Sequence, residues 1–222
     1  MCGRYSITGN PAHIGTRLGI HLDAVAPRYN VAPTQTAPVI LHTSPASPPA
    51  MRMLRWGLVP FWAKDLSIGN RMINARCETV AEKPSFRRSF KSRRCLVLAD
   101  GFYEWQKQGT IKQPWRFHLQ SGAAFAFAGL WDCWHADQDD ETLSFTILTT
   151  TPNDLTRRVH DRMPVILQEA EYLPWLNPTT SPAKLIPMLD PYPAGEMTGQ
   201  PVSRSVNSPK NDNPECIVPL PS

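Results

Sequence analysis

No stretch of this 222-residue chain approaches the ~20 consecutive apolar residues that a membrane-spanning helix needs. The longest apolar run, Ala123 to Trp131, is less than half that length. No apolar stretch follows Met1-Cys2-Gly3-Arg4, so a secretory leader is not expected and the protein reads as soluble and cytoplasmic. Paired cysteines are lacking too. The five cysteines (Cys2, Cys77, Cys95, Cys133, Cys216) are odd in number and none falls in a C-x-x-C spacing, which argues against a disulfide framework. The six histidines are scattered without paired-ligand spacing, so neither zinc nor any other metal or cofactor is expected. Cys95 and Cys133 lie in apolar strand-like runs and read as core residues; Cys2 does not. No internal repeat and no linker is visible, and residues 1–222 read as a single domain.

Proline, by contrast, is abundant: 23 residues, about twice the usual frequency of ~5%. That excludes a helical bundle or coiled coil and favours short strands joined by ordered loops. Asn10-Pro11 opens a short helix. Pro38–Thr43 and Met51–Val59 read as strands across the loop Ser44–Pro49, and Thr79–Lys91 as a helix with Phe86 and Phe90 at i, i+4. Cys95–Ala99, Phe102–Gln106, Trp115–Leu119, Ala123–Trp131 and Leu143–Thr149 form a run of strands, with a hairpin turn at Gln108-Gly109. Asn153–Val159 and Glu169–Leu176 read as short helices, while Pro201–Val206 and Cys216–Leu220 are candidates to close the sheet. Successive strands without long intervening helices imply antiparallel pairing. The expected fold is α+β, with a mainly antiparallel, barrel-like sheet and short flanking helices.

Net charge is only +4, but it is uneven. Between Arg52 and Arg94 stand eleven Lys or Arg against three acids (Asp65, Glu78, Glu82), a local net of +8. Acids gather instead at Asp137, Asp139, Asp140 and Glu141. An arginine-rich half suits phosphate recognition, because the guanidinium fork binds phosphate bidentately; it is equally compatible with a solvated basic face.

Position 2 carries the sharpest chemical signal. Removal of Met1 would leave Cys2 with an α-amine and a thiol on one two-carbon unit. Their reference pKa values, ~7.7–8.0 and ~8.5, give both a nucleophilic fraction near neutrality. Such an aminothiol condenses with an aldehyde to a Schiff base and closes to a thiazolidine. Alternatively, the thiolate attacks a carbonyl with the amine as base. In Asp100-Gly101-Phe102-Tyr103-Glu104-Trp105, strand alternation sets Phe102 and Glu104 on one face and Tyr103 and Trp105 on the other. A glutamate desolvated by phenylalanine shifts toward a general acid, unless an ion pair holds it. His160-Asp161-Arg162-Met163-Pro164 sets an imidazole beside a carboxylate at a loop-to-strand junction, as a proton shuttle or as a capping histidine. Asn74-Ala75-Arg76 pairs an amide with a phosphate-sized cation.

Seven segments occur in one order: Met1–Arg4, Arg28–Thr34, Arg55–Pro60, Ile73–Thr79, Ala99–Trp105, His160–Pro164 and Pro201–Ser203. In this set the chain resembles the SOS-response-associated peptidase (SRAP) family, and the likeness runs from residue 2 to about Asn211. The resemblance implies a sensor of abasic sites in single-stranded DNA that traps the lesion as a DNA–protein crosslink. By motif, Cys2 is then the crosslinking residue, surrounded by Asn74, Glu104 and His160. Glu104 would transfer protons during imine formation and cyclisation, His160 would act at the sugar C4′ hydroxyl, and Asn74 would hold the Cys2 amine or the sugar. The resemblance also implies some lyase character by β-elimination, and removal of Met1 autocatalytically or with host help.

On that resemblance, DNA contacts fall to Arg4, Arg76 and Arg162 on phosphates, Trp62 as a stacking platform, Pro33 as a wedge and Thr149 as a backbone donor. Ala63 departs from relatives that carry a second tryptophan there, and Phe61 is the candidate substitute. The expected partner is single-stranded abasic DNA, met by a monomer that is nucleoid-associated if bacterial. Two alternatives remain: a cysteine peptidase with Cys2, His160 and Glu104 as triad, and a non-catalytic reader of modified cytosine.

Overall fold

The computed structural model describes residues 2–43, 47–136 and 138–221. The Ser44–Pro49 loop falls partly outside this set, as does Met1. In chain order the strands are β1 (Arg4–Ile7), β2 (Arg28–Val31), β3 (Thr36–Leu41), β4 (Ala50–Trp56), β5 (Asn74–Arg76), β6 (Arg94–Ala99) and β7 (Gly101–Gln108). They continue with β8 (Ile111–Leu119), β9 (Phe125–Trp134), β10 (Thr142–Thr150), β11 (Met163–Pro164), β12 (Ile166–Leu167) and β13 (Met197–Pro201). Four short α-helices accompany them: α1 (Ala12–Leu18), α2 (Arg87–Ser92), α3 (Tyr172–Leu176) and α4 (Pro182–Leu185).

One sheet runs β13-β8-β7-β1-β2 and is antiparallel throughout. In the other, β10, β4, β3, β6 and β9 pair in that order and β9 pairs back onto β10, closing a five-stranded barrel. Closure removes the exposed strand edges that otherwise invite association. Strand alternation divides the core. Val39, Val97, Phe127 and Ile147 pack with Tyr5, Phe102 and Phe117 of the first sheet. Ile40, Leu96, Ala126, Ala128 and Leu148 face the other way, against Ile14, Phe90 and Trp175 of the helices. Small alanines suit this second face, where helices approach the sheet.

The α+β class with its mainly antiparallel barrel is the fold observed. Several element boundaries differ from expectation. Residues 79–91 do not form one helix: a 3₁₀ turn covers Cys77–Thr79 and α2 starts only at Arg87. Pro84 lacks an amide hydrogen and disfavours helical geometry in the residue before it. The Phe86–Phe90 pair survives within the core. Of residues 153–159 only Thr156–Arg158 is helical, as a 3₁₀ turn. The C-terminal strand ends at Pro201, after which 3₁₀ turns at Arg204–Asn207 and Pro214–Ile217 replace the expected closing strands. Only a bridge from Val202 to Pro219 remains of that pairing. Two contacts of β10, with β4 and with β5, are parallel.

The C-terminal segment lies across the outer face of β7. Asn30 Nδ2 faces the carbonyls of Val206, Ser208 and Asn211 at 3.1, 3.0 and 2.7 Å. Asp212 accepts from the backbone N–H groups of Tyr29 and Asn30 and pairs with Arg28. The Arg28-Tyr29-Asn30 segment is thus a clamp for residues about 180 positions downstream.

Candidate active site

Strand pairing explains why Cys2 meets Glu104. In the antiparallel pair of β1 and β7, Arg4 lies opposite Tyr103 and Tyr5 opposite Phe102. Continuing that register toward the N-terminus carries Cys2 alongside the Glu104–Trp105 end of β7. Cys2 is fully buried, its thiol 3.7 Å from the Arg4 carbonyl. Burial raises the thiol pKa well above its ordinary value, and the nearby Glu104 charge raises it further. Asn74, at the start of β5, donates from Nδ2 to the Cys2 carbonyl at 2.8 Å. Its Oδ1 is buried and has no hydrogen-bond partner among the described residues.

His160 follows the Thr156–Arg158 turn and precedes β11. The buried Asn153 fixes this loop by accepting from the amides of Leu155 and Thr156 and donating to the Tyr192 carbonyl. The His160 amide in turn donates to the Thr156 carbonyl at 3.0 Å. The ring's Nε2 stands 3.9 Å from Glu104 Oε2. Its Nδ1 has two neighbours of opposite kind: the Arg162 N–H donates to it at 3.0 Å, and Asp161 Oδ1 lies 2.9 Å away. The neutral ring can accept from the amide and the protonated ring can donate to Asp161, so each state has a partner. Burial lowers the His160 pKa, and Asp161 opposes that shift.

Two buried carboxylates near β7 show how environment divides their chemistry. Burial alone would raise the Asp100 pKa, but donors from Ser6, Thr8, Gly9 and Arg116 outweigh it, and the pKa is lowered. Asp100 is a structural anchor between β1 and β8. Glu104 is also buried, but it stands beside the His160 ring and close enough to the Cys2 thiol for its charge to be felt there. Burial pushes its pKa up to about 7, aided by repulsion from Asp161. A group that titrates near neutrality can both give and take a proton. The alternation expected for β7 is realised: Phe102 joins the core around Cys2, whereas Tyr103 and Trp105 join a cluster with Val202, Val206 and Cys216.

The expected DNA contacts separate into buried and exposed groups. Arg4 NH1 donates to Asn30 Oδ1 and the Val206 carbonyl, at 3.3 and 2.8 Å. Arg162 pairs with Glu78 and donates to the Thr149 carbonyl at 2.6 Å. Thr149 is fully buried, its hydroxyl 3.5 Å from the Ala75 carbonyl. These three hold the structure together around the site. Arg76 lies at the exposed end of β5, on the same face as Asn74 by alternation. Trp62 is 48% exposed and lines a groove of about 540 Å³ with Lys64, Ser67 and Arg71. Phe61 is equally exposed, with the Arg88 guanidinium 4.1 Å from its ring centre. Pro33 sits in a tight turn closed by the Gln35 amide on the Ala32 carbonyl, and Thr34 holds φ at 73°. That angle is costly for a β-branched residue and is more usual for glycine at this turn position.

The structure brings three of these segments together near Cys2 through Asn74, Glu104 and His160. A model of the family described as SOS response associated peptidase (SRAP) fits residues 1–209. The chain belongs to this family. It is 44% identical over 223 residues to the abasic site processing protein YoqW of Bacillus subtilis, covering 98% of this chain and 99% of the relative. It is 34% identical to the abasic site processing protein HMCES of Xenopus tropicalis, across 89% of this chain and 68% of that one. Among solved structures, a protein from Bacteroides thetaiotaomicron superposes with a TM-score of 0.86 at 28% identity, over 99% of this chain and all of that one.

Sequence reasoning missed part of this SRAP site. A cleft of about 450 Å³ opens beside Glu104 and His160, and its other walls are Trp105, Lys107, Lys112 and Asn207. The signal for it was present in the Gln108-Gly109 turn, since a two-residue hairpin sets Lys107 opposite Lys112. The Asp100 anchor also went unread, because its partners Ser6, Thr8 and Arg116 are remote in sequence. Among the described residues, no group of three His, Cys, Asp or Glu side chains could hold a metal ion. No helix among them is long and apolar enough to cross a membrane.

Proposed function

We propose that this protein senses abasic sites in single-stranded DNA and traps them as covalent adducts on Cys2. The names of its relatives point to abasic-site processing. The observation that carries the covalent step is the grouping of a position-2 cysteine, a glutamate titrating near 7 and a two-state histidine.

Removal of Met1, by the protein itself or by a host enzyme, frees the Cys2 amine. That amine attacks the aldehyde of the ring-opened deoxyribose to give a carbinolamine. Glu104 donates a proton to the departing hydroxyl, water leaves and an iminium forms. The thiol, held protonated by burial, needs a base before it can add. The Glu104 carboxylate generated one step earlier takes that proton, sulfur bonds to the iminium carbon, and the electron pair of the C=N bond returns to nitrogen, which keeps its one hydrogen. Two bonds to carbon form, one water is lost, and the product is a thiazolidine. Asn74 fixes the Cys2 peptide through its carbonyl. His160, beside Glu104, passes protons to and from the sugar hydroxyl, and so governs ring opening and reversal. If elimination overtakes cyclisation at the iminium stage, the strand breaks, which is the lyase branch. Arg76 binds phosphate and Trp62 stacks on a neighbouring base. Arg4 and Arg162 add positive potential, while Pro33 fills the gap left by the missing base.

The test uses single-stranded DNA bearing one natural abasic site, resolved on a denaturing gel. A heat-stable adduct formed once per protein molecule is expected, and Cys2→Ala should lose it while retaining at most a borohydride-reducible imine. An equally stable adduct from Cys2→Ala, or multiple turnover on peptides without DNA trapping, would overturn this function in favour of a peptidase.

A further inference from the structure

We propose that the cleft between the β7–β8 hairpin and His160 is a phosphate subsite, holding the DNA backbone on one side of the abasic sugar. The inference rests on the abasic-DNA reading above and adds to it the residues that meet the strand as it leaves the reacting centre.

The cleft is continuous with that centre, because Glu104 and His160 form its inner wall. Its outer wall is the hairpin, where Lys107 and Lys112 face each other across the strands. Like charges directly opposite one another destabilise a hairpin. Neither lysine forms a salt bridge among the described residues, and both are exposed. An anion lying between them would relieve the repulsion. A third donor stands on the C-terminal side. Asn207, which lines the cleft, accepts at Oδ1 from the Trp105 indole N–H at 2.7 Å, so its NH₂ group is the end left to donate. Arg158 adds charge nearby, its backbone carbonyl bonded to Gln106 of β7.

The state of the other cations strengthens the case. The Arg4 fork is taken by carbonyls of the C-terminal segment, and the Arg162 fork by Glu78 and Thr149. A backbone phosphate next to the sugar therefore finds its unpaired cations on the hairpin. Two ammonium groups and an amide NH₂ around a cleft open to solvent suit a phosphodiester, whose charge is singly negative and whose contacts need not read the base. The strand would then cross the site from Arg76 on β5 to the hairpin, with Cys2 between.

The probe is an oligonucleotide carrying a tetrahydrofuran abasic analogue, which has no aldehyde and keeps binding non-covalent. Two forms are compared, with the flanking nucleotides only 5′ or only 3′ of the analogue. Lys107→Gln/Lys112→Gln should weaken one form several-fold and lower its salt slope by about 0.7, one single-strand phosphate contact's worth, while leaving the other form unchanged. Lys107→Arg/Lys112→Arg should restore wild-type binding. Equal weakening of both forms, or of neither, would overturn the subsite. Because no covalent step is involved, a wild-type protein that binds the analogue but fails to trap natural abasic DNA would refute the trapping reaction and not this subsite.

Discussion

Asp100 and Glu104 are both buried beside β7, yet their carboxyl groups shift in opposite directions because only Asp100 is ringed by an arginine and hydroxyl donors. The Glu104 shift has a stability consequence. In the unfolded chain Glu104 ionises near 4.5, whereas in the folded protein it holds its proton to about 7. Burial of the acid therefore costs nothing below pH 4.5, and the cost grows through that window to on the order of 3 kcal/mol above it. We expect Glu104→Gln to be more stable than wild type at pH 8 and nearly equal at pH 4.5, measured by urea unfolding at both. A difference that stays flat with pH would mean the folded protein holds Glu104 ionised. The same substitution should slow adduct formation by roughly 10²–10⁴-fold and remove the break near pH 7 from its rate profile. For the arginines, Arg76→Ala should lower the salt slope of single-stranded DNA binding by ~0.7. Arg4→Ala should change the slope less and lower the melting temperature, because its fork holds the C-terminal segment; the reverse pattern would contradict these roles. The position-2 thiol, Glu104 and His160 were legible because each stands in a short motif. The inward ties of Arg4 and Arg162 were not, since their partners Val206 and Glu78 lie 202 and 84 residues away.

At the scale of elements, β4 shows how the sequence positions a loop. It ends at Trp56, whose indole N–H donates to the Ile73 carbonyl just before β5. Gly57 follows with φ at 120°, and a Cβ there would sit 2.5 Å from the Gly69 carbonyl oxygen. This close approach sets the loop that carries Phe61 and Trp62 and returns the chain to Asn74. Gly57→Ala meets both backbone strain and a backbone clash, so a loss above roughly 2 kcal/mol is expected. Chemical denaturation measures it, and a loss below 0.5 kcal/mol, on the order of a neutral surface change, would show that the loop rearranges freely. Strands β3, β4 and β6 to β10 were legible as apolar runs and the hairpin from Gln108-Gly109, whereas the short strands β1, β2 and β5 were not. The expected helix over 79–91 failed because its Phe86–Phe90 spacing outweighed Pro84 in the reading, whereas backbone sterics decide the fold. The closing strands failed because residues 202–220 are fixed by Asn30, Asp212 and Arg28 through turns, a long-range arrangement that leaves no local period.

For the whole molecule, barrel closure was legible as a class and not as a topology. The parallel contact of β10 with β4 joins segments about ninety residues apart and has no short turn to announce it. That contact and its continuation onto β5 bring Asn74 to the Cys2 carbonyl, while β1 beside β7 brings Cys2 to Glu104. The candidate site thus lies where two sheets meet, and its residues come from segments far apart in sequence. Mass spectrometry of the N-terminal peptide after incubation with single-stranded abasic DNA and nuclease digestion tests the proposed role of Cys2 most directly. The expected peptide begins at Cys2 and carries the deoxyribose remnant with loss of one water, unchanged by borohydride. A peptide that retains Met1, or an adduct found on a lysine instead, would contradict it.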